Sequence, residues 1–176
     1  WNQSEHYLDV GEMAMGVAIG YDWLYNELSE ETKANARAAI NQHAFGHTDE
    51  AKYCRFYKAR NNWNQVCNGG LVAASLATYE SNPEIAGKLI MDAVESNMEP
   101  LKAMYGPDGN YVEGYSYWDY GTMYQTMMLT ALETALGTDF GLSDTEGFLK
   151  TGEFMMFMEG ITESFNFYDS WGAKSP

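Results

Sequence analysis

Two passages of this chain hold side chains that could do chemistry together. The first, residues 61 to 70, reads Asn-Asn-Trp-Asn-Gln-Val-Cys-Asn-Gly-Gly. Its Asn61, Asn64 and Asn68 recur at spacings of three and four, so they share one face of a helix start, where amides both donate and accept hydrogen bonds. Capping alone explains any single asparagine at such a place, but less readily four within eight residues. The second passage, residues 108 to 121, sets Glu113 and Asp119 among Tyr115, Tyr117, Trp118 and Tyr120, with glycines that permit close backbone approach. Such rings suit a sugar face, and they equally suit a tight turn packed on a core. A third feature precedes both: Lys52, Arg55, Lys58 and Arg60 gather in one short stretch of a chain with a formal net charge of −15. That net charge excludes nucleic acid as a partner, because phosphate binding rests on Lys and Arg.

The elements that position these residues read as helices. Apolar residues between 7 and 28 follow a helical spacing. Ser29 is placed as an N-cap, with Glu30 and Glu31 at the positive end of the next helix, which the composition carries to Ala44. These two segments are expected to form a helical hairpin. A polar, basic passage from 46 to 60 separates them from a third helix starting near Trp63. Ser81, Asn82, Pro83 and Glu84 write a capping box, predicting a fourth helix that Pro100 should end. A turn is expected at Pro107-Asp108-Gly109-Asn110, and a fifth helix from about 117 to 136 ending on Gly137 as a left-handed cap. Ser143 and Glu146 write a second capping box for a sixth helix reaching about Gly160. The tail from 163 is polar and aromatic and receives no assignment.

The expected fold is therefore all-α, a single domain over residues 1 to 176 built of helical hairpins. No apolar run approaches the length that spans a bilayer, and Cys54, Cys67 and three scattered histidines give no metal-ligand spacing. No membrane partner, metal or other cofactor is expected. Whether Cys54 and Cys67 form a disulfide or are simply buried thiols is left open. The opening at Trp1, without Met, reads as an excised segment.

The stretch Asn-Asn-Trp-Asn-Gln-Val-Cys-Asn-Gly-Gly-Leu at 61 to 71, followed by Asp-Gly-Asn-Tyr-Val-Glu-Gly-Tyr-Ser-Tyr-Trp-Asp-Tyr-Gly-Thr at 108 to 122, resembles the central toroid of the heparinase II/III-like polysaccharide lyases. Residues 18 to 25 and 137 to 142 fit the same pattern, so the resemblance covers most of the chain. It implies part of an incomplete α/α toroid, followed in the parent chain by a C-terminal β-sandwich absent from these residues. It also implies a periplasmic or secreted protein whose partner is an acidic polysaccharide or oligosaccharide, cleaved at uronic acids by β-elimination. On that resemblance Asn62 and Asn64 neutralise the uronate carboxylate, and Tyr120, with Tyr117 as second choice, is the acid and base. Asn61, Trp63, Arg60, Lys58, Glu113 and Trp118 then bind substrate. The pattern departs from the family in having Asn61, Asn62 and Trp63 where many members place a histidine at or beside the asparagine motif, and a further catalytic histidine usually comes from beyond the region covered.

A tyrosine works as a base near neutral pH only if nearby positive charge favours the phenolate, and the Lys52 to Arg60 cluster is the candidate source. Two other readings stay open. One is glycoside hydrolysis on a similar toroid, with Glu113 paired with Asp119 or Asp108 about 5 to 9.5 Å apart. The other is a non-catalytic glycan-binding module that stacks sugars on Trp63, Trp118 and tyrosines.

Overall fold

The computed structural model describes residues 1–4, 6–165 and 167–170. It is all-helical, with no strand among the described residues: α1 (Leu8–Trp23), α2 (Glu30–Ala39), α3 (Asn62–Ala77), α4 (Pro83–Met104), α5 (Tyr115–Leu136) and α6 (Thr151–Met158). No helix among the described residues is long and apolar enough to cross a membrane. The tail from 163, left unassigned from sequence, is described only to Ser170, Asn166 excepted; residues 171–176 lie outside the description.

Helix α3 is the axis of the molecule. It packs against α1 on one flank, α5 on another and α4 on a third. Its sequence suits that place: Val66, Cys67, Leu71, Val72 and Ala74 are all fully buried, and burial of the valine and leucine side chains contributes about 1.5–3 kcal/mol each. The α1 contact is close because Gly70 has no side chain. A Cβ there would run into the backbone of Gly11, and one on Gly11 would meet Val66 O at 2.9 Å. One core cluster gathers Tyr7, Ile40, Phe56 and Leu71 on the α1 flank, and a second gathers Leu101, Met104, Tyr111, Met128 and Leu132 among α4 and α5. The α1–α2 pair is looser than a simple hairpin. Helix α2 joins the rest chiefly through its π-helical continuation, Ile40–Phe45, whose Ile40, Ala44 and Phe45 are buried.

Several local expectations hold. The Ser29 hydroxyl accepts from Thr32 N at 3.1 Å, Pro83 opens α4, and Gly137 caps α5 in the left-handed region at φ 71°. At the 107–110 turn, Gly109 takes φ 91° and Gly106 N donates to Asn110 O at 2.9 Å. Others do not. Ser81 lies in a short 3₁₀ turn, and Asn82 becomes the N-cap without a side-chain cap bond, so the first capping box does not form. The second fails too. Asp139 takes the local amides, accepting from Gly141 N and Ser143 N, and Gly147 at φ 84° interrupts any helix before α6 starts at Thr151.

The largest correction concerns Pro100, which lies inside α4 instead of ending it. Proline leaves the carbonyl four residues earlier without its usual donor. That carbonyl, Ser96 O, instead shares a hydrogen of Asn64 Nδ2 at 3.3 Å with the Ser96 hydroxyl, which accepts from Asn64 and Asn68 at 2.9 Å each. Asn97 Nδ2 then donates to Asn64 Oδ1 at 2.9 Å and to Gln125 Oε1 at 3.0 Å, while Gln125 Nε2 returns a bond to Asn97 Oδ1 at 2.8 Å. A chain of amides thus runs from α3 through α4 to α5, all of it buried.

Replacing Asn64 with Ala strips partners from Ser96 and Asn97 and is expected to destabilise the chain by about 3 kcal/mol in urea unfolding. Pro100→Ala restores a donor to Ser96 O, so in the Asn64→Ala background it should recover about 1 kcal/mol relative to its effect alone. Strict additivity of the two substitutions would contradict the compensation.

Candidate functional site

The start of α3 is capped twice. Asn61 Oδ1 accepts from Trp63 N at 3.2 Å, the local cap expected of an asparagine. The second cap comes from far along the chain. Glu113 accepts from Asn62 N at 2.6 Å and from Asn62 Nδ2 at 3.1 Å, placing a carboxylate on the positive end of the helix. The asparagine and tyrosine passages are therefore joined directly.

Behind Glu113 runs a buried relay. Tyr111 Oη donates to Gln65 Oε1 at 2.7 Å and lies 3.4 Å from Glu113 Oε2; Gln65 Nε2 donates to Tyr105 Oη at 2.8 Å; Tyr105 Oη meets Thr122 Oγ1 at 2.8 Å. Gly121 lets α5 come this close, since a Cβ there would strike Gln65 Oε1 and Tyr111 Oη. Burial pushes the Tyr105 hydroxyl up to about 12 and Tyr111 well above its ordinary value, so both remain neutral donors. Burial also raises Glu113 above the ordinary carboxylate value. The Asn62 bonds and Tyr111 oppose that shift, and neighbouring Asp169 adds to it.

In front of the cap lies a cavity of about 560 Å³, a volume ordinary for small-ligand sites. Lys58, Arg60, Asn61, Trp63 and Glu113 line it, as sequence reasoning placed them on substrate, and both passages contribute to its wall. Arg55, Tyr168 and Asp169 line it as well. Arg55 could have been chosen from its place in the basic stretch; nothing local in the sequence marks Tyr168 or Asp169. No ion pair among the described residues uses Arg55, Lys58 or Arg60, whereas Lys52 is paired with Glu50 at 3.0 Å and takes no part. The Trp63 indole is held by His6, stacked on it at 3.8 Å between ring centres and 13° between planes. His6 and Tyr7 both sit in the left-handed region, at φ 60° and 69°, a conformation that non-glycine residues adopt at a cost. Tyr7 anchors that segment, fully buried with its hydroxyl donating to Ala44 O at 2.7 Å.

The remaining candidates do not line the cavity. Asn64 is sealed in the α3–α4 amide chain, with its Nδ2 donating to Phe56 O as well as to Ser96, and cannot reach a ligand in this conformation. Asn62 is also buried, its amide nitrogen held by Glu113, although its Oδ1 has no partner among the described residues. Tyr120 points to α1, its hydroxyl donating to Glu12 Oε1 at 2.5 Å, and burial followed by that carboxylate raises its pKa. Trp118 packs partly buried against the α4–α5 core, its Nε1 donating to Thr151 Oγ1 at 2.6 Å. Tyr117 packs against the same core but lies within the influence of Glu113 and Asp169, which, after burial, raise its pKa. No basic residue lowers the pKa of either tyrosine, so the expected help of the Lys52 to Arg60 cluster in forming a phenolate is not realised.

Asp108 and Asp119 do not line the cavity beside Glu113. Cys54 and Cys67 are free, buried thiols, and among the described residues no cluster of three His, Cys, Asp or Glu side chains is arranged to hold a metal ion. No known family model and no curated protein matches this chain.

Glu113 gives the cap a pH signature. The folded chain holds this proton more tightly than the unfolded chain, so the stability Glu113 contributes is complete below its ordinary value of 4.5 and is lost as pH rises through the higher folded value. Relative to Glu113→Gln, the native chain should therefore lose stability as pH increases above 4.5, read by urea unfolding at successive pH values. A difference that stays flat or grows with pH would contradict the assignment.

Proposed function

We propose that the cavity at the start of α3 holds an acidic sugar, and that the chain is part of the α/α toroid of a polysaccharide lyase that cleaves uronic-acid glycans by β-elimination. The observation that carries this reading is the meeting of Arg55, Lys58, Arg60, Asn61 and Trp63 with Glu113 of the tyrosine passage around one hollow. The side-by-side packing of the alternate helices α1, α3 and α5 supports the toroid. The resemblance adds a β-rich domain in the parent chain and a periplasmic or secreted address.

In the reaction, the carbon–hydrogen bond beside the carboxylate breaks, its electron pair forms the C4–C5 double bond, and the bond from C4 to the glycosidic oxygen breaks. That oxygen leaves with a proton. Negative charge builds on the uronate carboxylate on the way, so cations and hydrogen-bond donors fixed around it stabilise the transition state. Lys58, Arg60 and Asn61 take this role here, in place of the buried Asn62 and Asn64. Tyr117 is preferred to Tyr120 as proton donor to the leaving oxygen, because it feels the charges of Asp169 and Glu113 on the cavity wall, whereas Tyr120 is directed to Glu12 of α1. A raised pKa keeps Tyr117 protonated, which suits an acid and not a base. The acceptor for the C5 proton comes from the parent's second domain, where the resemblance expects a histidine. A wall formed by the Trp63 indole also favours a second reading, a module that holds glycans without cutting them.

The test is kinetic, with polyuronate as substrate for the parent protein and ultraviolet absorbance of the unsaturated product as readout. Lys58→Ala with Arg60→Ala is expected to raise KM at least about tenfold, and Tyr117→Phe to lower kcat by about 100-fold with little change in KM. Unchanged constants in both would remove these residues from the mechanism. Binding without any unsaturated product would assign the cavity to the glycan-holding module.

A further inference from the structure

The charges around the cavity are nearly balanced, and that balance limits what it can hold. Arg55, Lys58 and Arg60 come from one stretch, while Glu113 and Asp169 adjoin each other closely enough that Asp169 disfavours ionisation of Glu113. With both carboxyls ionised the wall carries a formal surplus of one positive charge. Beyond the wall the chain is strongly anionic, at −15 overall. A field of that sign repels polyanions at a distance, and like charges brought into one partly desolvated hollow repel more strongly still. A ligand with one carboxylate per sugar can meet the cations and leave neutral hydroxyls for Glu113 and Asp169, which accept hydrogen bonds from them. A ligand with added sulfates brings charge for which the wall has no matching cation.

From this balance, and resting on the acidic-sugar reading above, we infer that the cavity selects non-sulfated polyuronates, with a single carboxylate per ring, over sulfated glycosaminoglycans. Glu113 and Asp169 act as the excluding elements. Glu113 is the less adjustable of the two, because its carboxylate also caps α3 through Asn62. Asp169 is exposed and makes the selectivity open to change without touching that cap.

The experiment is calorimetric titration of the chain, at physiological ionic strength, with hexamers of mannuronate, galacturonate and glucuronate, and with a heparin hexasaccharide. At least one non-sulfated hexamer is expected to bind about tenfold more tightly than heparin. Asp169→Asn should strengthen heparin binding severalfold and so narrow the gap. Heparin binding as tightly as, or more tightly than, every non-sulfated hexamer would overturn the selectivity while leaving an acidic-glycan site in place. A preference for uronates that Asp169→Asn leaves unaltered would overturn its electrostatic origin. Failure of all four oligosaccharides to bind would overturn both this inference and the reading beneath it.

Discussion

A missing hydrogen-bond donor organises this molecule. Pro100 deprives Ser96 O of its partner within α4, and Asn64 reaches across from α3 to supply one. Because that amide also accepts from Asn97, which in turn exchanges bonds with Gln125, the rotation of α3 about its axis is tied to α4 and α5. Buried amides allow little slack, since a half-satisfied network is costlier than an apolar contact. With α3 fixed in this way, residues 62 and 64 turn inward while Asn61 and Trp63 are left on the cavity wall.

The same rigidity explains the electrostatics of the site. Glu113 can hold the first turn of α3 only because the relay through Tyr111, Gln65 and Tyr105 supports the carboxylate from behind and Gly121 makes room for it. The helix terminus is then already satisfied by an internal anion. An external anion has to be met by Arg55, Lys58 and Arg60, which stand exposed on the short 3₁₀ segment and the loop after it. A cationic rim on an otherwise anionic chain is a local feature that net charge conceals.

Much of this was legible from local signals. Ser29, Pro83, Gly109 and Gly137 each act through their own backbone geometry, and the structure bears out each of them. The meeting of the two polar passages, joined by Asn62 and Glu113, was an expectation carried by the family resemblance and not by their composition. What could not be read was the use made of each amide and phenol. An asparagine near a helix start serves equally as a cap, a ligand group or a bridge between helices; Asn61 is the first, while Asn64 is the last. Tyr117 and Tyr120 sit one turn apart on α5 and neither lines the cavity; Tyr120 is directed to Glu12 of α1, a partner that no local signal reveals. Pro100 reads as a terminator in every local rule, and its compensation lies on another helix. The second capping box failed for a related reason, because Asp139 and the left-handed Gly147 dictate the backbone before Ser143 can.

The central claim is that the rim and the tyrosine passage form one binding surface at the start of α3. Backbone amide shifts recorded during titration with an oligouronate test it most directly. The account predicts that the largest changes fall together on Arg55, Lys58 to Trp63, Val112 and Glu113, with Tyr120 and the groove of Ala18, Ala77 and Ala131 between α1, α3 and α5 unaffected. Changes centred on that groove, or on the basic stretch without any response at Val112 and Glu113, would contradict it.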